Sequence, residues 1–411
     1  MPDATRTSHE TPIVVIGIGG DGWAGLTAGA RLQIEEAAAV LGGRRHLGML
    51  PDVPGQRREP WPSPLREGLP ALLDSLGEGP VVALASGDPL VSGIGTTLTE
   101  LLGPERVVIE PAISSVALAR ARMGWSAESC AVVSVVGRDP SLVLRELAPS
   151  RRILVLSSDQ HTPNEVGGLL TEAGYGESMM DVLGDLGTLQ ETRSWSVAHN
   201  WAQAGPSHTP RLNIIAITAV GTHRLGWVAG LPDDAFEHDG QLTKRDLRAS
   251  ALARLAPTPG EHLWDVGAGA GSVGIEWMRA HPTCTATAVE ADPERAERIG
   301  RNAARLGVPG LAVVHGRAPD ALAGLRAPDA VFVGGGATRE GVVETCLAAL
   351  GPGGRLVVHG VTLETERVLG DLYAEHGGEL TRIAVETAAP IGSFTGWTPA
   401  RAVTQWALAL L

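Results

Sequence analysis

Two glycine-rich turns, far apart in the chain, each follow a short apolar run and precede a helical pattern. The first lies within residues 12–27 and the second within residues 263–276. A buried strand that runs into glycines and then a helix is typical of an open α/β sheet, where the helix N-terminus offers free N–H groups to a ligand. Two such beginnings within 411 residues predict two α/β domains in one chain.

Short β-branched runs alternate with helical patterns through most of the chain. This alternation predicts α/β layers with mostly parallel sheets. In the first half we expect strands at 12–17, 81–85, 107–109, 131–136, 153–156 and 212–218, and helices at 27–41, 116–122 and 141–146. In the second half we expect strands at 262–266, 285–289, 312–315, 330–333 and 355–359, and helices at 273–279, 293–306 and 338–350. Weak periodicity at 221–242 separates the domains, which we predict to span 11–222 and 230–411.

Composition disfavours several classes of protein. The net charge of −13 opposes a nucleic-acid partner, and no apolar run reaches the length of about 18–20 residues that a membrane helix needs. The polar N-terminal residues lack the apolar core of a signal peptide. The three cysteines are widely spaced and fit neither a metal site nor a disulfide framework. We therefore expect a cytoplasmic protein with reduced thiols, no resident metal and a small-molecule substrate.

The second glycine turn has the spacing Asp265-x-Gly267-x-Gly269-x-Gly271. The following strand ends at Glu290, whose carboxylate can accept hydrogen bonds from both hydroxyls of a ribose. Glycines recur after a later strand, at 334–336. In this order the features resemble the class I methyltransferases, which have a Rossmann-like fold and bind S-adenosylmethionine.

A segment upstream, 231–248, contains Gly-Gln-Leu-Thr-Lys at 240–244. Together with the turn, it is similar to the decarboxylating methyltransferases of cobalamin biosynthesis, which act on a precorrin. The resemblance implies that the glycine turn, the carboxylate that binds the ribose and a residue beside the adenine contact the cofactor. The residues implied are Thr243, Gly267, Ala268, Gly269, Ala270, Gly271, Glu290 and Ala318. Lys244 and Arg248 are candidates for binding substrate carboxylates, or they are surface charges at a helix N-terminus.

In the first domain, three segments follow the first glycine turn in a characteristic order. They are Ala-Ser-Gly-Asp-Pro-Leu-Val-Ser-Gly at 85–93, Glu-Pro-Ala-Ile-Ser-Ser at 110–115 and Val-Val-Gly-Arg at 135–138. This order resembles the tetrapyrrole methylase family, whose two lobes hold S-adenosylmethionine between them. The resemblance implies cofactor contacts from Ser86, Gly87, Asp88, Val91, Ser114, Ser115 and Leu156.

The first domain departs from that family at two points. Pro111-Ala112 stands where the family usually has Pro-Gly, and the first turn reads Gly-Gly-Asp rather than Gly-Pro-Gly. Both departures resemble the branch that acts at carbon 5 of a corrin precursor. The fold prediction is therefore α/β, with a two-lobed tetrapyrrole methylase fold followed by a Rossmann-like class I methyltransferase domain.

Both halves resemble enzymes of one pathway, and together these resemblances imply that the chain is itself an enzyme of that pathway. It would methylate carbons 5 and 15 of a precorrin and remove carbon dioxide from the ring C acetate, with one S-adenosylmethionine site per domain. Displacement at a sulfonium needs alignment and exclusion of water more than a strong base, so we assign no catalytic residue. Three alternatives stay open: the same transfers on a cobalt-containing precorrin, methylation of protein or RNA, and a scaffold that holds a tetrapyrrole without turnover.

A tetrapyrrole substrate carries many carboxylates, whereas this chain is acidic overall. Arginines must therefore line the substrate surfaces, because a guanidinium pairs with a carboxylate through two hydrogen bonds. The candidates are Arg44, Arg45, Arg138, Arg248 and Arg317. The family resemblance further implies a homo-oligomer built on the second domain.

Overall fold

The computed structural model describes residues 12–204 and 209–410. Thr11 and Leu411, the outer limits of the two predicted domains, lie outside the described residues. The chain divides into two units, one extending to Pro140 and resuming over Ser150–Gly221, the other formed by Ser141–Pro149 and the chain from Thr222.

The first unit begins with a five-stranded parallel sheet in the order β3-β2-β4-β1-β5. Alternate side chains face opposite sides of this sheet. Val15 and Ala83 pack with helices on one face, and Ile16 and Leu84 pack on the other. The elements in chain order are β1 Ile13–Ile18, α1 Ala28–Glu36, β2 Ala39–Gly42, α2 Arg44–Leu47, β3 Arg57–Pro60, α3 Leu65–Asp74, β4 Val81–Ser86, α4 Ile94–Leu102 and β5 Val107–Glu110.

The same unit continues into a second five-stranded sheet, in the order β6-β7-β10-β8-β9. Only the β6–β7 pair of this sheet is parallel, so it differs from the first sheet, whose strand pairs are all parallel. Its elements are α5 Ser115–Met123, β6 Cys130–Ser134, β7 Arg152–Leu156, α6 Thr162–Glu172, β8 Met179–Gly184, β9 Thr192–Val197, α7 Ala198–Gln203 and β10 Asn213–Thr218. These two lobes make the first unit.

The second unit has a seven-stranded sheet in the order β13-β12-β11-β14-β15-β19-β16. The five strands from β13 to β15 are parallel, and β19 joins them antiparallel. Helices cover both faces, so the central strands are buried throughout. The elements are α8 Arg245–Leu255, β11 His262–Val266, α9 Ser272–Ala280, β12 Thr285–Glu290, α10 Pro293–Arg305, β13 Ala312–His315, β14 Ala330–Val333, α11 Val342–Ala349, β15 Arg355–Gly360, α12 Leu363–His376, β16 Glu379–Ile383, β17 Glu386–Ile391, β18 Phe394–Pro399 and β19 Val403–Ala409.

Several sequence-based boundaries are wrong, and each has a local cause. The helix expected at 27–41 ends at Glu36, and β2 follows almost at once. The sequence does not show this break, because alanines lie on both sides of it. The helix expected at 141–146 is a 3₁₀ helix, and the one expected at 338–350 begins only at Val342. β3 and β9 lie at sheet edges and are largely polar, so they lack the apolar pattern of a strand.

No helix in the described part of the chain is long and apolar enough to cross a membrane. Within the same residues, no group of three or more histidine, cysteine, aspartate or glutamate side chains could hold a metal ion. All three cysteines are unpaired and buried.

Candidate functional site

The first unit contains a cavity of about 320 Å³ between its two lobes. Its wall includes the end of β4, the start of α5 and the end of β7. All seven cofactor contacts predicted for this domain lie on this wall: Ser86, Gly87, Asp88, Val91, Ser114, Ser115 and Leu156. The fold thus brings together residues that are up to 70 positions apart in the chain, about a third of the first domain's length.

Three chain segments meet at Gly17, and their contact shapes one end of this cavity. The Gly87 N–H donates to the Ile18 carbonyl at 3.0 Å, and the Gly87 carbonyl accepts from the Ala112 N–H at 3.1 Å. A Cβ on Gly17 would lie 1.9 Å from the Gly87 oxygen. Gly87 itself has a φ of +53°, in the left-handed region that favours glycine. The glycines therefore permit a backbone contact that side chains would prevent.

The start of α5 presents polar groups to the same cavity. Ser114 caps the helix, and its Oγ accepts from the Ala117 N–H at 3.1 Å. On the opposite loop, the Asp88 carboxylate accepts from the Leu90 N–H at 2.9 Å. Val91 and Leu156 add apolar surface. This wall can hold a ligand that has both a polar, charged end and an apolar ring.

The sequence-based prediction missed several residues of this cavity, above all Asp185 and Asn213. Asp185 follows β8, a strand that the apolar pattern did not reveal. Asn213 begins β10 and is buried, where its amide donates to the Pro210 carbonyl at 2.9 Å. Neither residue lies in one of the recognisable motifs, so no sequence signal distinguishes it.

The second unit has its own cavity, of about 300 Å³, at the carboxyl ends of β11, β12 and β14. Of the predicted contacts, Gly267, Glu290 and Ala318 line it, together with the glycines that follow β14. Gly267 has a φ of +67°, and a Cβ there would lie 2.8 Å from the Gly335 oxygen. The first glycine of the turn is therefore required by the close approach of the β14 loop.

The remaining predicted turn residues do not line this cavity. Ala268, Gly269, Ala270 and Gly271 form the turn behind Gly267, where a Cβ on Gly269 would lie 2.7 Å from the Gln241 oxygen. Thr243 also lies outside the lining, and its carbonyl accepts a hydrogen bond from Arg248. In the structure these residues support the shape of the site.

Two buried carboxylates stand beside the second cavity. Glu290 accepts from the Gly269 N–H at 2.8 Å through Oε2 and from the Asp292 N–H at 3.0 Å through Oε1. Asp265 accepts from the Gly274 N–H at 2.9 Å through Oδ2, while its Oδ1 has no partner among the described residues. Burial, with a smaller effect of the Glu290 charge, raises the pKa of Asp265 to about 7.

The structure contradicts the prediction that Arg248 binds a substrate carboxylate. Its side chain is fully buried, and its Nε donates to Glu276 at 2.5 Å. The other guanidinium nitrogens donate to the Leu231 and Thr243 carbonyls. Because its donors are already used inside the domain, Arg248 is a structural residue.

Lys244, the other predicted substrate contact, has a different environment. It precedes α8, and its side chain is half exposed. Its Nζ lies 3.6 Å from the Asp233 carboxylate. Lys244 does not line the second cavity.

Two arginines line the second cavity together with Glu290. Arg317 follows β13, and Arg339 follows the glycines after β14. Arg339 lies 3.8 Å from the exposed Asp320 carboxylate. Arg317 was among the candidate arginines of the sequence, whereas nothing in the sequence pattern indicated Arg339.

Comparison with known proteins identifies relatives of both halves. Residues 12–194 match the family described as tetrapyrrole (corrin/porphyrin) methylases, and residues 234–410 match the precorrin methyltransferase domain. A Sinorhizobium sp protein described as precorrin-6Y C(5,15)-methyltransferase, decarboxylating, is 47% identical over 96% of this chain and 95% of its own length. A protein of Mycobacterium tuberculosis (strain CDC 1551 / Oshkosh) with the same description is 43% identical over 96% of this chain and 99% of its own. The crystal structure of the C-terminal domain of precorrin-6Y C5,15-methyltransferase from Rhodobacter capsulatus is 44% identical, with a TM-score of 0.43, over 45% of this chain and 100% of that one.

Proposed function

This chain belongs to the family of decarboxylating precorrin-6Y C(5,15)-methyltransferases, and we propose that its two domains divide that reaction between two separate sites. The chain is an S-adenosylmethionine-dependent C-methyltransferase of cobalamin biosynthesis. It methylates precorrin-6Y at carbons 5 and 15 and removes carbon dioxide from the ring C acetate, giving precorrin-8X. In our proposal the first domain, residues 11–222, methylates carbon 5. The second, residues 230–411, methylates carbon 15 and carries out the decarboxylation.

The observation that carries this division is that each unit has a cavity bordered by its own glycine turn. We expect each cavity to bind one S-adenosylmethionine. The assignment of carbon 5 to the first domain rests on the resemblance of its motifs to the carbon 5 branch of the tetrapyrrole methylases.

The residues of both cavities fit S-adenosylmethionine. In the second, the Glu290 carboxylate lines the cavity and can accept from ribose hydroxyls, and behind the cavity the buried Asp265 has one oxygen, Oδ1, without a partner among the described residues. In the first, the carboxylates of Asp88 and Asp185 suit hydroxyl or ammonium groups, and Leu156 offers an apolar surface to an adenine. These residues would hold the cofactor.

When bound, S-adenosylmethionine supplies an electrophilic methyl group on a sulfonium. The chain's contribution is to align that group with an electron-rich carbon and to exclude water. The glycine contacts at Gly17 and Gly267 fix the backbone that forms each site. The conjugated macrocycle can itself accept the electron pair that carbon dioxide leaves behind, so decarboxylation requires no further residue in our proposal.

The deciding experiment combines purified chain, labelled S-adenosylmethionine and precorrin-6Y, with mass spectrometry and NMR of the product. We expect a gain of two methyl groups, at carbons 5 and 15, and loss of one carbon dioxide. A parallel reaction with the cobalt-containing substrate should be slower. Binding of the tetrapyrrole without release of S-adenosylhomocysteine would instead show a scaffold, and would overturn the proposal.

We further propose that the chain forms a homo-oligomer through its second domain and acts in the cytoplasm. The support for the oligomer is the hairpin of β17 and β18, on which Ile391, Phe394 and Trp397 are largely exposed. Exposed apolar surface of this kind marks association sites. Analytical ultracentrifugation should give an oligomer that Phe394→Ser dissociates, while a monomer at working concentration would contradict the proposal.

A further inference from the structure

Three polar side chains on one side of the first cavity contact one another, and we call them the Arg45 cluster: Arg45, His46 and Ser86. Arg45 Nη2 lies 2.8 Å from His46 Nε2 and 3.2 Å from Ser86 Oγ. Ser86 Oγ lies 3.0 Å from the same histidine nitrogen. Arg45 and Ser86 line the cavity, whereas His46 is not among its lining residues. The cluster joins α2 to the end of β4.

His46 acts as a hydrogen-bond acceptor in this cluster. A guanidinium can only donate, so the histidine nitrogen that faces it must carry a lone pair. Burial, together with the adjacent Arg45 charge, lowers the pKa of His46 to about 4. The ring is therefore neutral near pH 7. A neutral acceptor fixes the guanidinium without cancelling its charge, which a carboxylate in the same place would do.

The charge of Arg45 thus stays available to a ligand. In the described part of the chain Arg45 forms no salt bridge within 4.0 Å, although the Asp185 carboxylate attracts it electrostatically. Among the described residues that line the cavity, Arg45 is the one cation, and Asp88 and Asp185 are the two carboxylates. The carboxylates suit hydroxyl and ammonium groups, whereas the guanidinium suits a ligand carboxylate.

Two molecules at this site would carry carboxylates: the cofactor, at its methionine end, and the macrocycle, on its acid side chains. Arg45 is exposed although it lines the cavity, so it stands where the cavity opens to solvent. A tetrapyrrole is far larger than a cavity of about 320 Å³ and must lie across that opening. Building on the proposed carbon 5 methylation, we propose that Arg45 binds a macrocycle carboxylate there, and that His46 is a positioning residue for its guanidinium.

Substitution of Arg45 by glutamine in the full chain tests the binding role. We expect the KM for the tetrapyrrole in carbon 5 methylation to rise about tenfold or more, as for loss of a charged hydrogen bond. The kcat and the Kd for S-adenosylmethionine should change less than about threefold. Arg66→Gln is the control, because Arg66 is an exposed arginine on α3 that does not line the cavity. It should leave all three constants unchanged.

Three results would overturn the inference, and they are distinguishable. An active wild type with an unchanged KM in Arg45→Gln overturns the binding role alone. A KM that stays unchanged while the Kd for S-adenosylmethionine rises tenfold assigns Arg45 to the cofactor carboxylate instead. A wild-type chain that transfers no methyl group to carbon 5 overturns the proposed function, and this inference with it.

The positioning role of His46 is tested by a pair of substitutions. His46→Phe removes the acceptor and should raise the KM for the tetrapyrrole in the same direction as Arg45→Gln. His46→Gln places a carbonyl oxygen near the former Nε2 position and should restore most of the wild-type KM. Equal KM values for both variants, with folding confirmed by thermal unfolding, would overturn the positioning role.

Discussion

The carboxylate of Glu290, at the end of β12, accepts a hydrogen bond of 2.8 Å from the backbone N–H of Gly269, in the turn after β11. Its second oxygen accepts from the Asp292 N–H at 3.0 Å. The residue predicted to bind the ribose therefore also fixes the glycine turn that borders the cavity. The proposed ribose contact and the observed shape of the turn thus involve the same carboxylate.

We predict that Glu290→Gln abolishes one of the two proposed cofactor sites. An amide must turn its NH₂ group towards one of the two backbone donors, which leaves an N–H unpaired at a cost of about 1–3 kcal/mol. Isothermal titration with S-adenosylmethionine should change from two sites to one, and carbon 15 methylation should fall with it. Glu297→Gln, an exposed carboxylate on α10, serves as control. Two intact sites in Glu290→Gln would contradict the prediction.

A second prediction concerns the buried pair of Arg248 and Glu276, which joins α8 to α9 at 2.5 Å. Removing one partner leaves the other charge buried, so Glu276→Leu or Arg248→Met should each destabilise the second domain by about 3–5 kcal/mol. The loss of stability in the double variant should be smaller than the sum of the losses in the two single variants. Calorimetry of the full chain measures these changes.

The control for this pair is Arg245→Met, an exposed arginine on the same helix. It should change stability by less than about 0.5 kcal/mol. If Arg248→Met behaved like Arg245→Met, the ion pair would be irrelevant to stability.

Asp265 makes the stability of the second domain depend on pH. Its pKa is raised from 3.8 to about 7, chiefly by burial, so the folded state binds more protons than the unfolded state across that window. Stability is therefore lost as pH rises towards and through 7. Asp265→Asn removes this dependence. The free energy of unfolding of the variant minus that of the wild type should therefore be about 1–3 kcal/mol larger at pH 8 than at pH 5. Urea unfolding at both pH values gives the comparison, and a difference independent of pH would refute the prediction.

Gly17→Ala should disable the first site and spare the second. The new Cβ would lie 1.9 Å from the Gly87 oxygen and 2.5 Å from the Ala112 nitrogen, so the backbone around the cavity must shift. We expect loss of carbon 5 methylation with carbon 15 methylation retained, read by NMR of the labelled product. Gly29→Ala, in α1 with open space around it, should instead stabilise by about 0.5–1 kcal/mol.

The sequence predicted the second domain better than the first. Strands β11, β13 and β14 begin and end where the sequence predicts them. The central strand β14 is buried along its whole length and is a continuous hydrophobic segment, as buried parallel strands are. In the first domain, β2 directly follows a helix rich in the same small residues, and the edge strands are polar. In these segments the pattern of apolar and polar residues does not distinguish a strand from a helix or a loop.

The cofactor-contact candidates of the first domain all line one cavity, because each lies at the end of a strand, in the loop that follows β4 or at the start of a helix. Arg248 shows the opposite case. The sequence suggested a substrate contact or a surface charge at a helix N-terminus, but Glu276, 28 residues along the chain, holds this side chain inside the domain. A single helix pattern does not show what another helix brings against it.

The sequence by itself determined the two α/β domains, their glycine turns and the family they resemble, because strand–turn–helix units are encoded by consecutive residues. Only the tertiary structure decided which charged side chains face a cavity. Arg44 and Arg45 are adjacent and chemically identical, yet only Arg45 lines the first cavity and contacts Ser86. That choice depends on how α2 packs against β4 and on where β8 places Asp185, and both are fixed by contacts between residues distant in the chain.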